Sequence, residues 1–209
     1  MYSFVIPCYN SSESIRHVVE LTMEEMEKMN RREFEFVLVN DYSSSTKTMP
    51  VLKKLAEEYP CVTVLNLAKN AGQHNAIMAG LNYAKGDILI GMDDDMQTHP
   101  SQLPYLFEEL EKGYDIVYGY YPEKKHSAFR NFGSWVNYIS VRILIGKPKE
   151  LKTSSYWVAR KFVRDSVIEY QAPYAYIQGL FLRTTRNISC IPIQHFQREE
   201  GESNYTFKR

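Results

Sequence analysis

The sequence predicts an α/β fold, in which a mostly parallel central sheet is flanked by helices. Short apolar runs alternate with segments that carry apolar residues at helical spacing, which is typical of strand–helix–strand units with right-handed crossovers. The chain has 209 residues, of which 44% are hydrophobic and 24% charged, as in a globular domain with one core. Polar residues also gather where successive apolar runs end, as expected for the ligand-binding edge of such a sheet.

Strands are expected where apolar residues stand together in short runs that end at proline, glycine or polar residues. The predicted strands are residues 2–7, 34–39, 62–65, 87–92, 115–118, 154–159 and 188–196. Helices are expected where apolar residues recur every three or four positions. The first helix should follow Asn10, which we expect to cap it together with Glu13. The other predicted helices are residues 51–59, 73–84, 100–112, 131–145 and 161–170.

Composition excludes several classes of protein. The 25 basic and 25 acidic residues give zero net charge, which argues against a nucleic-acid partner. The three cysteines, Cys8, Cys61 and Cys190, are far apart in the chain and suggest neither a zinc site nor a disulfide framework, so we expect a reducing compartment. No apolar stretch approaches the roughly 18 residues that span a bilayer. The chain as given is therefore expected to be soluble.

Four of the predicted strands end in polar residues. These are Cys8-Tyr9-Asn10, Asn40-Asp41, Asn66 with Lys69-Asn70, and Asp93-Asp94-Asp95. In open parallel sheets, ligands bind outside the carboxyl ends of the strands, so we expect these residues to meet at one site. Ordinary polar loops are the alternative explanation.

The acidic run Asp93-Asp94-Asp95 predicts a metal ion. Adjacent carboxylates repel one another, and a nearby cation relieves that repulsion. Hard oxygen ligands without histidine or cysteine favour Mg²⁺ or Mn²⁺, which keep positions open for substrate phosphates. We therefore expect a diphosphate at this site, with a solvated acidic turn as the alternative.

Motifs that the chain lacks narrow the chemistry further. There is no GxxxxGK[ST] phosphate loop, no GxGxxG after the first strand, and no GxSxG nucleophile elbow. A diphosphate held by metal and carboxylates, without those loops, favours nucleotide-sugar chemistry.

Several motifs in the right order resemble those of the inverting glycosyltransferases of family two, which have a Rossmann-like GT-A fold. They are Val5-Ile-Pro-Cys-Tyr-Asn10, Val37-Leu-Val-Asn-Asp41-Tyr-Ser43, Asn70-Ala-Gly72, Ala79-Gly80, Gly86-Asp87 and Met92-Asp-Asp-Asp-Met-Gln97. The late segment from Gln197 to Tyr205 contains Arg198, Gly201 and Ser203 in the Arg-x-x-Gly-x-Ser pattern of the polyprenyl-phosphate branch. That branch includes dolichyl-phosphate mannosyltransferases and undecaprenyl-phosphate sugar transferases.

The resemblance implies roles for the matching residues. The nucleotide sugar would contact Pro7, Tyr9, Asn10, Asp41, Lys69, Gly72, Asp93 and Asp94, with Asp41 recognising the base. The metal, Mg²⁺ or Mn²⁺, would be held by Asp93, Asp95 and Gln97. The acceptor phosphate would be bound by Arg130, Arg198 and Ser203. The residues expected to act in catalysis are Asp93, Asp95, Arg130 and Arg198.

The chain departs from the family pattern in two places. Tyr42 and Ser45 replace the glycine and the last aspartate of the usual Asp-Gly-Ser-x-Asp turn, so Tyr42 must fit a turn that prefers glycine. Lys152-Thr153 stand where many members have an aspartate, and this removes the usual candidate for a general base. A lipid phosphate is already ionised and needs no base, so this loss favours a phosphate acceptor. Asp94 is the remaining candidate base if the acceptor is a hydroxyl.

These observations predict an inverting, metal-dependent transferase that moves a sugar from a UDP- or GDP-sugar to a polyprenyl phosphate. We expect one catalytic domain over residues 1–209, with a nucleotide-sugar half (1–121) and an acceptor half (122–209). The resemblance also implies a chain cut before C-terminal membrane helices, working against the membrane surface on its cytoplasmic side. Transfer to a glycan hydroxyl and a non-catalytic nucleotide-sugar-binding module are the alternatives.

Overall fold

The computed structural model of the chain describes residues 1–122 and 146–194. Their strands form one sheet of seven in the order β3-β2-β1-β4-β6-β5-β7. The strands are β1 (Tyr2–Cys8), β2 (Phe34–Asn40), β3 (Val62–Asn66), β4 (Ile88–Gly91), β5 (Ile116–Tyr120), β6 (Trp157–Arg160) and β7 (Ile188–Pro192). Strands β1 to β4 run parallel, and β6 is antiparallel to both of its neighbours, β4 and β5. The predicted α/β fold with a mostly parallel sheet is confirmed.

Helices cover both faces of this sheet. They are α1 (Ile15–Lys28), α2 (Thr48–Glu58), α3 (Gln73–Tyr83), α4 (Leu103–Glu111), α5 (Lys161–Val167) and α6 (Ile177–Thr184), with a 3₁₀ turn at Pro100–Gln102 before α4. Successive side chains of a strand point to opposite faces. On β1, Phe4 and Ile6 therefore pack with α1, α2 and α4, whereas Val5 packs with α3, α5 and α6. The two cores hold the sheet between two helical layers.

The structure corrects several details of the predicted elements. Helix α1 begins at Ile15, and Asn10 does not cap it, because Asn10 has a φ of 59° and its side chain bonds to the loop after β2 instead. Strand β6 begins at Trp157 rather than residue 154, and β7 ends at Pro192. Helix α6 was not predicted. The helix expected at 131–145 lies outside the described residues.

One glycine lets β4 and β6 pair closely at the centre of the sheet. Gly91 pairs with Trp157, and a methyl group on Gly91 would lie 2.2 Å from Cε2 of the indole ring. Trp157 is 1% exposed and packs edge-on against Phe181 of α6, so its ring has little room to move. Glycine is therefore required at Gly91, two residues before Asp93.

We expect Gly91→Ala to lower the free energy of unfolding by about 1–3 kcal/mol, because the added methyl overpacks the β4–β6 contact. Urea denaturation measures this loss. As a control, the same substitution in a Trp157→Leu background should cost clearly less, since the clashing ring is gone. Equal losses in the two backgrounds would contradict the explanation.

Candidate functional site

The loops after β1 and β2 are joined by hydrogen bonds at the carboxyl edge of the sheet. The Asn10 backbone N–H donates to Ser43 Oγ (3.1 Å), and the Ser45 N–H donates to Asn10 Oδ1 (2.9 Å). The Asn10 side-chain amide also donates to Ser44 Oγ (3.1 Å). These bonds bring the first two polar strand ends together.

Asp41 joins the end of β2 to the start of α3. Its carboxylate is buried and accepts backbone hydrogen bonds from Ala71 (2.7 Å to Oδ1) and Gly72 (2.9 Å to Oδ2). Its carbonyl accepts a third bond from the side chain of Asn70 (3.0 Å). Gly72 has a φ of 84° directly before α3, a conformation that favours glycine. The carboxylate thus fixes the turn from which α3 begins.

The carboxylate of Asp93 accepts hydrogen bonds from two distant parts of the chain. Gln73 at the start of α3 donates its Nε2 to Asp93 Oδ1 (2.9 Å), and the Ser155 hydroxyl, just before β6, donates to Oδ2. Burial raises the pKa of Asp93 to about 7, and the charges of Asp95 and Asp94 add to the increase while the two hydrogen bonds oppose it. Asp93 is therefore the carboxylate most strongly perturbed by its surroundings in this cluster.

Asp94 turns towards the loop after β1. Its side-chain Oδ2 accepts a hydrogen bond from the backbone N–H of Tyr9 (3.3 Å). Its backbone carbonyl accepts one from the hydroxyl of Ser14, directly before α1. Burial raises the pKa of Asp94 to about 6, with a further contribution from the charge of Asp95. Asp94 thus holds the loop after β1 in place.

Asp95 and Gln97 form the outer part of the acidic turn. The Gln97 N–H donates to Asp95 Oδ1 (3.1 Å), and the hydroxyl of Tyr121 donates to the Gln97 carbonyl. Burial, followed by the charges of Asp93 and Asp95, raises the pKa of Tyr121 above its ordinary value. The backbone turns at Met96, which has a φ of 65° and is buried.

The oxygen donors of this turn fit a divalent cation. Asp93, Asp95 and Gln97 offer hard oxygens, the donors that Mg²⁺ and Mn²⁺ prefer. Within residues 1–122 and 146–194, no three His, Cys, Asp or Glu side chains gather into a preformed metal site. One or two protein carboxylates completed by substrate phosphates and water are the usual arrangement for Mg²⁺.

The remaining predicted site residues divide into two groups. Pro7 is half-buried within β1 opposite Val39, and Lys69 is exposed in the loop after β3 beside Asn70. Both belong to the same edge of the sheet as Asp41 and Asp93. Arg130, Arg198 and Ser203 lie outside the described residues. The ligand contacts expected of all these residues stay predictions.

Residues 3–170 match the sequence profile of Glycosyl transferase family 2. The chain belongs to that family. A relative from Edwardsiella ictaluri, undecaprenyl-phosphate 4-deoxy-4-formamido-L-arabinose transferase, is 32% identical across 97% of this chain. The chain spans 62% of the length of that relative.

Solved structures of glycosyltransferases share the fold at low identity. Glucosyl-3-phosphoglycerate synthase from Mycobacterium tuberculosis, in complex with Mn²⁺, UDP and phosphoglyceric acid, superposes with a TM-score of 0.62 at 16% identity, over 95% of this chain and 71% of that one. Mannosyltransferase PcManGT from Pyrobaculum calidifontis, in complex with GDP-Man and Mn²⁺, has a TM-score of 0.56 at 18% identity, over 78% and 45% of the two chains. The fold of this family 2 chain is therefore GT-A.

Three residues of the site escaped sequence reasoning. Gln73 and Ser155 hold Asp93, and Tyr121 lies beside the acidic turn, although the motifs of family 2 do not single them out here. Ser155 stands in the small-residue segment before β6, and Gln73 directly follows the Gly72 turn. Sequence patterns mark both segments, but they do not show that Gln73 and Ser155, which lie 20 and 62 residues from Asp93 along the chain, bind its carboxylate.

We expect Asp41→Asn to lower the free energy of unfolding by about 1–3 kcal/mol, because an amide offers one acceptor oxygen to the two N–H groups of Ala71 and Gly72. Chemical denaturation measures the change. Asp87→Asn is the matched control at the opposite edge of the sheet, where the exposed carboxylate pairs with the N-terminal amine (3.1 Å). A surface ion pair contributes little, so the control should change stability far less. Equal losses would exclude the anchoring role of Asp41.

Proposed function

We propose that this chain is an inverting, metal-dependent glycosyltransferase that moves a sugar from a nucleoside-diphosphate sugar to a polyprenyl phosphate. The observation that carries the proposal is the carboxyl edge of the sheet, where the acidic turn 93–97 adjoins the Asp41–Gly72 turn in a chain of family 2. The similarity to an undecaprenyl-phosphate sugar transferase supports the choice of acceptor.

The donor would lie along the loops that Asp41, Asp94 and Asn10 hold together. The amino end of α3, which starts at Gln73, belongs to this edge, and a helix amino terminus favours a bound anion such as a diphosphate. Tyr9, Lys69 and Gly72 would line the path of the nucleotide. Asp41 would define one wall of the base pocket through the turn that it fixes.

Asp93, Asp95 and Gln97 would hold the Mg²⁺ or Mn²⁺ ion together with the donor phosphates. When bound, the metal supplies positive charge that stabilises the leaving diphosphate. Gln73 and Ser155 would orient the Asp93 carboxylate through the two hydrogen bonds described above. Orientation of this kind is what allows a charged site to stabilise a transition state without rearrangement.

The transfer itself would need positioning rather than a base. An ionised phosphate oxygen of the lipid attacks C1 of the sugar, the new C1–O bond forms on the face opposite the leaving group, and the bond from C1 to the nucleoside diphosphate breaks. Because the attacking oxygen carries no proton, no general base is required. Asp94 accepts a hydrogen bond from the Tyr9 backbone, and Asp93 accepts two from side chains. These bonds support a mechanism in which neither carboxylate acts as the base.

Residues 1–121 would bind the donor, and residues 122–209 would bind the acceptor with Arg130, Arg198 and Ser203. The proposed acceptor is a membrane lipid, so the proposed place of action is the cytoplasmic face of a membrane. In the described part of the chain, every helix is too short or too polar to cross a bilayer. The contact with the membrane is part of the proposal.

Nucleoside diphosphate with Mn²⁺ should raise the melting temperature of the protein. At about 100 times the dissociation constant, a ligand stabilises the folded state by about 2.7 kcal/mol. Asp95→Ala should remove the part of the shift that depends on Mn²⁺, and Asp165→Ala, on the exposed side of α5, should leave it intact. A wild-type protein whose melting temperature neither UDP nor GDP changes would contradict a nucleotide-sugar donor.

Products of a radiolabelled nucleotide-sugar assay should partition into organic solvent when polyprenyl phosphate is present. A lipid-linked sugar phosphate is soluble in that phase, whereas a glycan product stays in water. Omitting the lipid is the control and should abolish the organic-phase counts. Label that enters a water-soluble glycan instead would favour transfer to a hydroxyl, and binding without turnover would favour a non-catalytic module.

A further inference from the structure

Tyr42 adopts a backbone conformation that a bulky side chain rarely takes. Its φ is 51°, in the left-handed region where the Cβ atom crowds the following carbonyl oxygen. Among the described residues, the other non-glycine residues with positive φ are Asn10, Asn30 and Met96. Asparagine tolerates this region, and Met96 is buried in the core. Tyr42 combines the strained backbone with an aromatic side chain in a residue that is 57% exposed.

The surrounding hydrogen bonds impose this conformation. Asn40 Oδ1 accepts both the backbone N–H (3.2 Å) and the hydroxyl (2.6 Å) of Ser43, so the two residues that bracket Asp41 and Tyr42 are fixed to each other. Ser43 Oγ in turn accepts the backbone N–H of Asn10 from the loop after β1 (3.1 Å). Strained residues persist where neighbouring contacts over-determine the backbone, and such residues cluster at functional sites.

Within the described residues, no hydrogen bond or ring contact of the Tyr42 side chain offsets this strain. More than half of the surface of Tyr42 is in water. The backbone at Tyr42 is nevertheless fixed by the bonds of the neighbouring residues Asn40 and Ser43. Tyr42 follows the buried Asp41 directly, between the loop after β1 at Asn10 and the turn at Gly72. An exposed aromatic ring is therefore held at the edge of the sheet where the donor is proposed to bind.

We propose that the ring of Tyr42 stacks on the base of the nucleoside diphosphate. Every base has a π-face, so stacking adds affinity without selecting one base, and an aromatic side chain contributes it at low entropic cost. This inference rests on the proposed function, because it requires a nucleotide donor at this edge. It adds a residue that positions the base and that stands where the family pattern has glycine.

The test is isothermal titration of UDP and of GDP, each with Mn²⁺, into wild-type protein and three variants. Tyr42→Phe keeps the ring and should bind both nucleotides as wild type does. Tyr42→Ala and Tyr42→Gly remove the ring and should each weaken binding about tenfold, within the range measured for base–aromatic stacking. Methylenediphosphonate, a diphosphate analogue without a base, should bind all four proteins equally.

Melting temperatures distinguish a loss of affinity caused by the missing ring from one caused by a disordered or destabilised loop. Tyr42→Gly relieves the backbone strain, so its melting temperature should not fall although its nucleotide affinity does. Asn30→Gly is the matched control, since Asn30 has a φ of 56° after α1 at the opposite edge of the sheet. It should leave nucleotide binding unchanged.

Three results would overturn the inference while leaving the proposed function intact. They are nucleotide binding within twofold of wild type by the alanine and glycine variants, an equal loss of methylenediphosphonate binding, and a loss in Tyr42→Phe as large as in Tyr42→Ala. Folded wild-type protein that binds neither UDP nor GDP would instead overturn the proposed function, and the inference with it.

Discussion

The buried carboxylate of Asp41 is the contact on which the arrangement of the site depends. Asp41 directly follows β2 and accepts the backbone N–H groups of Ala71 and Gly72 before α3, so a single side chain joins the end of the second strand to the start of the third crossover. Helix α3 then begins at Gln73, and Gln73 holds Asp93. The position of the acidic turn after β4 is thus coupled to the turn after β3 through one charged hydrogen-bond acceptor. Hydrogen bonds to a charged group are about twice as strong as neutral ones, which suits an anchor of this kind.

The acidic turn itself is a feature that folding alone does not favour. Burial and mutual repulsion raise the pKa values of Asp93 and Asp94 to about 7 and about 6, which means that the folded chain holds their charged forms less easily than water does. Hydrogen bonds from Ser155, Gln73 and the Tyr9 backbone reduce this cost but do not remove it. A group whose pKa is raised on folding destabilises the folded protein as the pH rises through its unfolded value. A cation bound at this turn would reverse that balance, because positive charge favours the ionised carboxylates.

Local sequence patterns predicted the strands and the polar edge of the sheet, because both depend on the order of apolar and polar residues over short stretches of chain. Apolar runs fixed the strands to within a few residues, because burial on both faces of a sheet requires near-continuous hydrophobic residues. The polar strand ends predicted the edge where Asp41 and Asp93 meet. The reversed direction of β6 carries no such signal, and neither does the bond from Ser155 to Asp93, which joins residues 62 positions apart. The prediction that Asn10 caps α1 was wrong, because the Asn10 side chain forms hydrogen bonds with Ser44 and Ser45 in the loop after β2 instead. Short helix α6 does carry buried apolar residues at helical spacing, Ile177, Leu180 and Phe181, but its eight residues form a weaker signal than the longer helices do.

Each of the four loops after the parallel strands β1 to β4 turns through one residue with positive φ. They are Asn10, Tyr42, Gly72 and Met96 in chain order. Glycine takes this conformation without steric cost, so the other three positions retain side chains at some expense to the fold. At Asn10 the steric cost is offset by hydrogen bonds to Ser44 and Ser45, and at Met96 it is offset by burial of the side chain in the core. Tyr42 has no comparable compensation among the described residues, since its side chain makes no hydrogen bond or ring contact there and the residue is 57% exposed. Under the proposed stacking, the base of a nucleotide would supply the flat surface that an exposed ring at this position can contact.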